Sequence, residues 1–223
     1  MTQLAIFDCD GTLVDSGATI YAALKRSLAE HGRPVPPPRE ARRVVGLSLV
    51  EAMAMLAPDA SSPELEAMAE TYRQAFQRLR QTGQVDEPLF EGIVELIDAL
   101  QGEGWLLAVA TGKSDRGLRH CLDSHGLRDR FISLQTADRH PSKPHPAMAL
   151  AAMAEVGAEP GDTIFIGDTA WDMGCAVAAG AGPIGAAWGY HDVSELLSGG
   201  AHAVAQEPAD VPRLAQAWLA RGA

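Results

Sequence analysis

Short apolar runs alternate with segments of helical periodicity along most of this chain, and this alternation restricts its possible folds more than any other feature. Five runs have the length and composition of β-strands: residues 4–7, 106–110, 163–166, 183–187 and, more weakly, 201–205. Helical patterns lie between them, most clearly over residues 93–100, 116–125 and 147–156. Strands that alternate with helices form a parallel sheet covered on both faces. We therefore predict the α/β class, with a doubly wound parallel sheet.

Polar or acidic residues stand at the ends of three predicted strands. The first strand is followed by Asp8, the second by Thr111, and the third by Gly167 and Asp168. In open α/β sheets, ligands bind beyond the carboxyl ends of the strands. The sequence therefore predicts that acidic and hydroxyl groups from three strands meet at one edge of the sheet.

The first two predicted strands are separated by far more than the roughly 30 residues of a simple strand–helix–strand unit. The intervening chain has helical patterns over residues 62–79 and about 19–30, the second ending at Gly32, and no convincing strand. We predict a helical domain of residues 17–82, inserted into a core made of residues 1–16 and 83–223. An insertion at the mouth of the site is well placed to act as a lid; a bundle with no part in the site is the alternative.

Charge and composition exclude several classes of partner. The chain has 223 residues and a formal net charge of −11, from 18 Lys and Arg against 29 Asp and Glu. This balance opposes binding along a nucleic-acid backbone. No apolar stretch approaches the roughly 20 residues of a membrane-spanning helix. Cys9, Cys121 and Cys175 form no zinc or disulfide pattern. We expect a cytoplasmic protein whose partners are neither nucleic acid nor membrane.

Two pairs of aspartates are the candidate chemical groups. Asp8 and Asp10 lie in the segment DCDGTLVDS, and capping of a turn explains one of them better than both. Asp168 and Asp172 lie in GDTAWD, four residues apart at the start of a helix, so both can face one opening. Capping of that helix by Asp168 is the alternative. Four carboxylates at one edge require a compensating cation, and oxygen ligands of this kind predict Mg²⁺.

Groups suited to binding phosphate follow the second strand. Thr111 and Gly112 precede Ser114, which opens the next helix, and a helix N-terminus favours an anion. Lys143 lies in a loop with prolines on both sides, which could hold its ammonium group over the cleft. A solvated surface charge is the alternative for this lysine.

These segments, in this order, resemble the four signatures of the haloacid dehalogenase-like superfamily. The signatures are DCDGTLVDS (residues 8–16), the threonine of AVATGKS (108–114), the lysine of SKPHP (142–146) and GDTAWD (167–172). The resemblance covers essentially the whole chain. It implies the Rossmann-like core of that superfamily with a small α-helical cap between the first and second signatures.

The resemblance also implies roles for these residues. Asp8 would attack phosphorus and carry the phosphoryl group as an aspartyl-phosphate, while Asp10 would protonate the leaving alkoxide and then activate water. Thr111 and Lys143 would hold the transferring oxygens. The metal ligands would be Asp8, Asp10 through its backbone carbonyl, Asp168, and Asp172 directly or through water. Asp10 also separates the phosphatase branch from the dehalogenases, which lack this second acid.

The sequence indicates the type of reaction more precisely than it indicates the identity of the substrate. The segment ARRVVGLSL (residues 41–49) resembles relatives of phosphoglycolate phosphatase, so a small phosphorylated metabolite, with phosphoglycolate as one candidate, is expected. Lys113, next to the phosphate-binding pair, is a candidate substrate contact. Arg42, Arg43 and Arg73 are candidates from the cap, with an uninvolved surface position as the alternative for each. A β-phosphoglucomutase-like transferase, a pyrophosphatase and a non-catalytic binding protein are the rival functions. The expected assembly is a monomer or a homodimer.

Overall fold

A computed structural model describes residues 2–221; residues 1, 222 and 223, at the ends of the predicted core segments, lie outside it. Six parallel strands form one sheet in the order β3-β2-β1-β4-β5-β6. Their bounds are β1 Leu4–Phe7, β2 Leu106–Thr111, β3 Ser133–Thr136, β4 Thr163–Gly167, β5 Gly182–Ala186 and β6 Ala203–Ala205. The strand order reverses direction beside β1, which places the ligand crevice at the end of this strand.

Ten helices accompany the sheet over the described residues. Five lie between β1 and β2: α1 Gly17–Glu30, α2 Pro38–Arg42, α3 Leu49–Leu56, α4 Ser62–Gln81 and α5 Ile93–Gly102. The others are α6 Asp115–Ser124, α7 Ala147–Val156, α8 Ala170–Ala179, α9 Val193–Ser198 and α10 Val211–Leu219.

Both faces of the sheet are covered by helices, as the alternation of strands and helices predicts. Along β1 the side chains alternate between two apolar clusters: Ala5 and Phe7 belong to one, and Leu4 and Ile6 to the other. All four are fully buried, which explains why the strand reads as a continuous apolar run. The doubly wound α/β fold is confirmed.

The strand β3 was not predicted from the sequence. Its residues, Ser133–Thr136, contain no apolar run, yet it pairs with β2 over its whole length. Gln135 donates to the Ser133 hydroxyl at 2.8 Å, which satisfies two polar groups buried at the edge of the sheet. The strand therefore depends on pairing with β2 rather than on its own composition.

The first four helices, α1 to α4, have an apolar cluster of their own. It includes Leu24 and Leu28 of α1, Met53 of α3 and Met68 of α4, each almost fully buried. A capping box in which Ser61 and Glu64 bond each other's backbone starts α4. The short helices α2 and α3 were not predicted individually. The division of the chain into a core and a cap at residues 17 and 82 stays a prediction.

The segment between α2 and α3 rests on the core beside the carboxyl ends of the strands. The Trp171 indole N–H donates to the Arg43 carbonyl at 3.1 Å, and the Ser48 N–H donates to the Ser142 hydroxyl at 2.7 Å. These contacts hold the inserted helices over the edge of the sheet where the candidate residues lie.

None of the helices in residues 2–221 combines the length and the apolar character needed to cross a membrane. The cytoplasmic location and the monomeric or dimeric state stay predictions.

Candidate active site

Three buried aspartates meet at the carboxyl edge of the sheet. Asp8 directly follows β1, Asp168 directly follows β4, and Asp172 lies in the first turn of α8. Each offers a carboxylate oxygen within 4.8 Å of the others, and none of the three is exposed to solvent. The strands β1 and β4 are adjacent and parallel, so they end at the same edge of the sheet and bring the three aspartates together.

Asp8 is the least compensated of these aspartates. Both of its side-chain oxygens are buried, and neither receives a well-formed hydrogen bond from the described residues. Lys143 Nζ lies 2.8 Å from Asp8 Oδ1, but as an ion pair without hydrogen-bond geometry. Burial raises the pKa of Asp8 to about 7, against the lowering effect of the Lys143 charge. Apart from this ion pair, the Asp8 oxygens have no partner among the described residues.

Asp168 is held in place from two sides. Thr12 Oγ1 donates to Asp168 Oδ1, and the Tyr190 N–H donates to Oδ2, both at 2.9 Å. The capping alternative for Asp168 is wrong, because the residue that caps α8 is Thr169. Burial and the neighbouring acidic charges raise the pKa of Asp168 well above its usual value.

Asp172 links the start of α8 to Lys143. Its Oδ2 accepts from the Thr169 N–H at 3.0 Å and from the Thr169 hydroxyl at 2.6 Å. Its Oδ1 accepts from Lys143 Nζ at 2.6 Å. Both oxygens already have a donor, so Asp172 is more fully occupied than Asp8.

Lys143 lies at the centre of the carboxylate cluster, and the alternative of a solvated surface charge is wrong. Its side chain is 0 % exposed, and Nζ contacts Asp8, Asp172 and the Ala110 carbonyl, the last at 3.1 Å. The nearby carboxylates raise the pKa of Lys143, which opposes the lowering effect of burial, so the ammonium stays charged. One ammonium group therefore pairs with two of the three buried carboxylates, and Asp168 has no cation partner among the described residues.

Asp10 lies at the rim of this cluster and faces a second lysine. Ser16 donates from its hydroxyl to Asp10 Oδ1, and Lys113 Nζ lies 2.7 Å from the same oxygen. Lys113 also pairs with Glu87 at 2.6 Å. The predicted substrate contact at Lys113 is thus an ammonium held between two carboxylates, directly beside the predicted acid.

The second strand ends in the groups predicted to bind phosphate. Thr111 is buried, and its hydroxyl accepts from the Lys113 N–H at 3.2 Å. A Cβ on Gly112 would lie 2.4 Å from the Leu47 carbonyl oxygen, so only glycine allows the inserted segment to approach this closely. Ser114 caps α6 by accepting from the Gly117 N–H at 3.1 Å.

A cavity of about 540 Å³ lies between the inserted helices and the loop after β2, and Asp10 and Lys113 contribute to its wall. Of the arginines predicted to contact substrate, Arg73 lines this cavity. Arg43 is not among the lining residues, and its guanidinium pairs with Glu195 on the core. Arg42 stacks on the Tyr190 ring at 5.6 Å and is likewise absent from the cavity wall. We therefore leave Arg43 and Arg42 out of the proposed substrate site.

Four further residues of the site were not assigned a role in it from the sequence. Thr12 and Ser16 belong to the quoted motif DCDGTLVDS, so their hydroxyls could have been noted as partners for nearby carboxylates. Glu87 and Tyr190 lie far from the motifs along the chain, and nothing in their local sequence marks them. Their roles depend on where the folded chain places them.

The donor set fits a hard divalent cation. Three carboxylates and one ammonium leave an excess of negative charge in a buried space, and both oxygens of Asp8 lack hydrogen-bond donors among the described residues. Oxygen ligands without histidine or cysteine suit Mg²⁺ better than zinc.

Gly11 is a position where an added methyl group would disturb this cluster directly. Its φ is +91°, and a Cβ there would lie 2.2 Å from Asp168 Oδ2. We expect Gly11→Ala to destabilise the fold by about 1–3 kcal/mol and to lower activity by displacing Asp168. Urea unfolding and initial rates of phosphate release measure the two effects.

Gly32→Ala is the matched control for this prediction. Gly32 also has a positive φ, +65°, but nothing lies within 4 Å of a Cβ there. The Gly32→Ala variant should lower the free energy of unfolding, because of the positive φ, without lowering the activity. Wild-type rates in Gly11→Ala would contradict the predicted packing against Asp168.

Comparison with known proteins identifies the family. The profile described as haloacid dehalogenase-like hydrolase matches residues 5–186. A protein of Dickeya dadantii named "Probable phosphatase IndB" is 35% identical over 222 residues, which cover 98% of this chain and 96% of that protein. A phosphoglycolate phosphatase of Xylella fastidiosa is 30% identical, over 84% of this chain and 81% of its own.

Solved structures agree with the sequence matches. A hydrolase from Pseudomonas syringae superposes with a TM-score of 0.83 at 29% identity, covering 95% of this chain and 97% of that one. The names of the relatives support phosphatase activity. The four signatures, the sheet order and the carboxylate cluster at its edge agree with these matches, and the chain belongs to the haloacid dehalogenase-like hydrolase family.

Proposed function

We propose that this protein is a Mg²⁺-dependent phosphatase that hydrolyses the phosphate monoester of a small molecule through a phosphorylated Asp8. The observation that carries the proposal is the state of Asp8: a buried carboxylate beside Lys143, with free lone pairs and Asp10 two residues on. A carboxylate without hydrogen-bond donors is available as a nucleophile. The relatives named phosphatases support the same reaction.

The reaction follows from two carboxyl groups with different roles. An Asp8 oxygen attacks phosphorus, the bond from phosphorus to the ester oxygen breaks, and Asp10 gives its proton to the departing alkoxide. In the second step Asp10 takes a proton from water, whose oxygen attacks phosphorus and releases Asp8 and inorganic phosphate. Each step is an acid–base-assisted displacement, and both carboxyl groups return to their starting states.

The remaining site residues hold the phosphoryl group and the metal. Thr111, the Gly112 N–H and Lys143 offer donors for the phosphoryl oxygens, which stabilises the charge that develops on them. Mg²⁺, when bound, supplies further positive charge to the carboxylates and the phosphoryl group. Its proposed ligands are Asp8, the Asp10 backbone carbonyl, Asp168 and, directly or through water, Asp172.

The inserted helices complete the site. We assign residues 17–82 to a cap over the core of residues 1–16 and 83–223, because the segment around Gly46 and Leu47 lies against Gly112. The expected partner is a small phosphorylated metabolite. Phosphoglycolate is the first compound to test, since a relative from Xylella fastidiosa is named for it.

Removal of the metal tests the proposal. We expect release of p-nitrophenol from p-nitrophenyl phosphate in the presence of Mg²⁺, its loss when EDTA is added, and its return when Mg²⁺ is restored in excess. Thermal unfolding gives an independent measurement: Mg²⁺ should raise the melting temperature of the wild type but not that of Asp168→Asn. Release that persists in EDTA would contradict the metal dependence, and absence of release with Mg²⁺ would favour a non-catalytic binding protein.

A further inference from the structure

The cavity under the inserted helices is too large for the simplest candidate substrate. Its volume is about 540 Å³, and Asp10, the proposed donor of a proton to the leaving alcohol, forms part of its wall. The alcohol part of the substrate must therefore extend into this space. Glycolate has only five non-hydrogen atoms, which fill at most about 150 Å³ even at the volume of one liquid water each, ~30 Å³. Most of the cavity would stay empty around it.

One wall of the cavity is apolar and aromatic. Tyr72 and Phe76 lie one turn apart on α4, with ring centroids 6.0 Å apart. Further apolar residues of the wall are Ile20, Leu24, Val44, Val45, Leu49 and Val50. A very small, fully charged alcohol would leave this surface unused, whereas an apolar or aromatic portion of a substrate would bury it.

The charged residues of the cavity are mostly paired among themselves. Asp10 pairs with Lys113 at 2.7 Å, and Glu70 with Arg73 at 3.3 Å. Asp138 is held at the entrance, where its Oδ2 accepts from the Asp115 N–H at 2.8 Å. Asp10 and Glu70 are thus compensated by cations of the same wall, whereas Asp138 has no ion-pair partner among the described residues.

Two arginines of the cavity wall, Arg80 and Arg116, have no carboxylate partner among the described residues. Arg80, at the end of α4, has its guanidinium carbon 5.3 Å from the Phe76 ring centre, and its Nε is buried without a hydrogen-bond partner. Arg116, in the first turn of α6, lines the same cavity from the core side. In a chain with a net charge of −11, two unpaired arginines that face one cavity indicate an anionic ligand.

We propose that the substrate is a phosphate monoester larger than phosphoglycolate, with an apolar or aromatic portion on Tyr72 and Phe76 and a second anionic group bound by Arg80 and Arg116. This inference rests on the proposed phosphatase function and narrows its substrate class. The phosphate lies at the Asp8 end of the cleft, and the second anion lies against the Arg80 and Arg116 guanidinium groups of the cavity wall. Arg43, one of the three cap arginines predicted from the sequence, has no part in this proposed site.

Three esters separate size from charge. Benzyl phosphate and 4-carboxybenzyl phosphate have leaving alcohols of similar basicity and differ by one distal carboxylate, and phosphoglycolate is the small anionic comparison. For the wild type with Mg²⁺, kcat/KM should be highest for 4-carboxybenzyl phosphate and lowest for phosphoglycolate. In Arg80→Gln and Arg116→Gln, the ratio of kcat/KM for the carboxylated over the plain benzyl ester should fall by roughly tenfold, the size of a lost charge-assisted contact.

Arg78→Gln is the matched control, because Arg78 lies on the same helix but lines a different cleft. It should leave the ratio at the wild-type value. Circular dichroism shows whether the variants fold. Calorimetric titration of Asp8→Asn with the two benzyl esters gives the same comparison as binding, independently of turnover.

The outcomes of this experiment are distinct. Fastest turnover of phosphoglycolate, or a ratio that Arg80→Gln and Arg116→Gln leave unchanged, would overturn the inference and leave the phosphatase proposal intact. If the wild type hydrolyses none of the three esters and no p-nitrophenyl phosphate, both proposals fall together.

Discussion

Asp8→Asn should lower kcat by at least roughly 10⁴-fold, the effect of removing a nucleophile that no neighbouring group can replace. The amide keeps the shape of the carboxylate but cannot attack phosphorus. Asp10 lies at the rim and is paired with Lys113, so it is poorly placed to substitute. Single-turnover measurements with p-nitrophenyl phosphate and Mg²⁺ measure the effect.

The same variant should unfold at a temperature no lower than that of the wild type. Asp8 is fully buried, its oxygens lack hydrogen-bond donors within residues 2–221, and Asp168 and Asp172 crowd it with like charge. Replacing the Asp8 carboxylate by a neutral amide removes its repulsion with Asp168 and Asp172, which destabilises the folded wild type. Thermal unfolding by circular dichroism, in EDTA, checks this.

Asp15→Asn is the control for both measurements. Asp15 lies in the same motif, but it is exposed and bonds the Gly17 N–H and the Tyr190 hydroxyl rather than the carboxylate cluster. We expect near wild-type turnover. Substantial activity in Asp8→Asn would rule out the phosphorylated intermediate, and a large fall in its melting temperature would contradict the account of its burial.

Lys143→Met should destabilise the protein more than any other single change considered, by about 3–5 kcal/mol. For a chain of this length, that cost lowers the melting temperature by roughly 10 °C. Methionine fills a similar volume but leaves Asp8 and Asp172 buried without their cation. Activity should also be lost, since the same ammonium is proposed to hold a phosphoryl oxygen. Thermal unfolding in EDTA measures the stability term without any contribution from bound metal.

Two further variants make this prediction specific. Lys25→Met removes an exposed lysine of α1 and should leave the melting temperature unchanged. Adding Asp172→Asn to Lys143→Met removes one of the stranded charges, so the double variant should recover part of the lost stability. A single Lys143→Met variant that melts as the wild type does would show that the cluster does not depend on this lysine.

The sequence by itself determined the α/β architecture and the aspartates at its edge. Continuous apolar runs such as Leu4–Phe7 specify strands buried on both faces, and residues that directly follow such strands must lie at one edge of a parallel sheet. The identities of Asp8 and Asp168 and their proximity are therefore consequences of local pattern and simple topology.

The tertiary structure alone decided which side chains contact one another across the chain. Lys143 could be read as a solvated loop residue or a site residue, and only the packing of its loop shows it buried between Asp8 and Asp172. The strand β3 has no apolar signal because its pairing with β2 provides its stability.

The arginines show most clearly which side-chain contacts cannot be predicted from the sequence. Arg43 stands in the segment that resembles relatives acting on phosphoglycolate, yet its guanidinium pairs with Glu195, whereas Arg80 and Arg116 line the cavity. Strand ends are fixed by the extent of a continuous apolar run and by the sheet edge that parallel strands share. The direction of a long side chain on an inserted helix depends on how that helix packs, and no local pattern in the sequence encodes that packing.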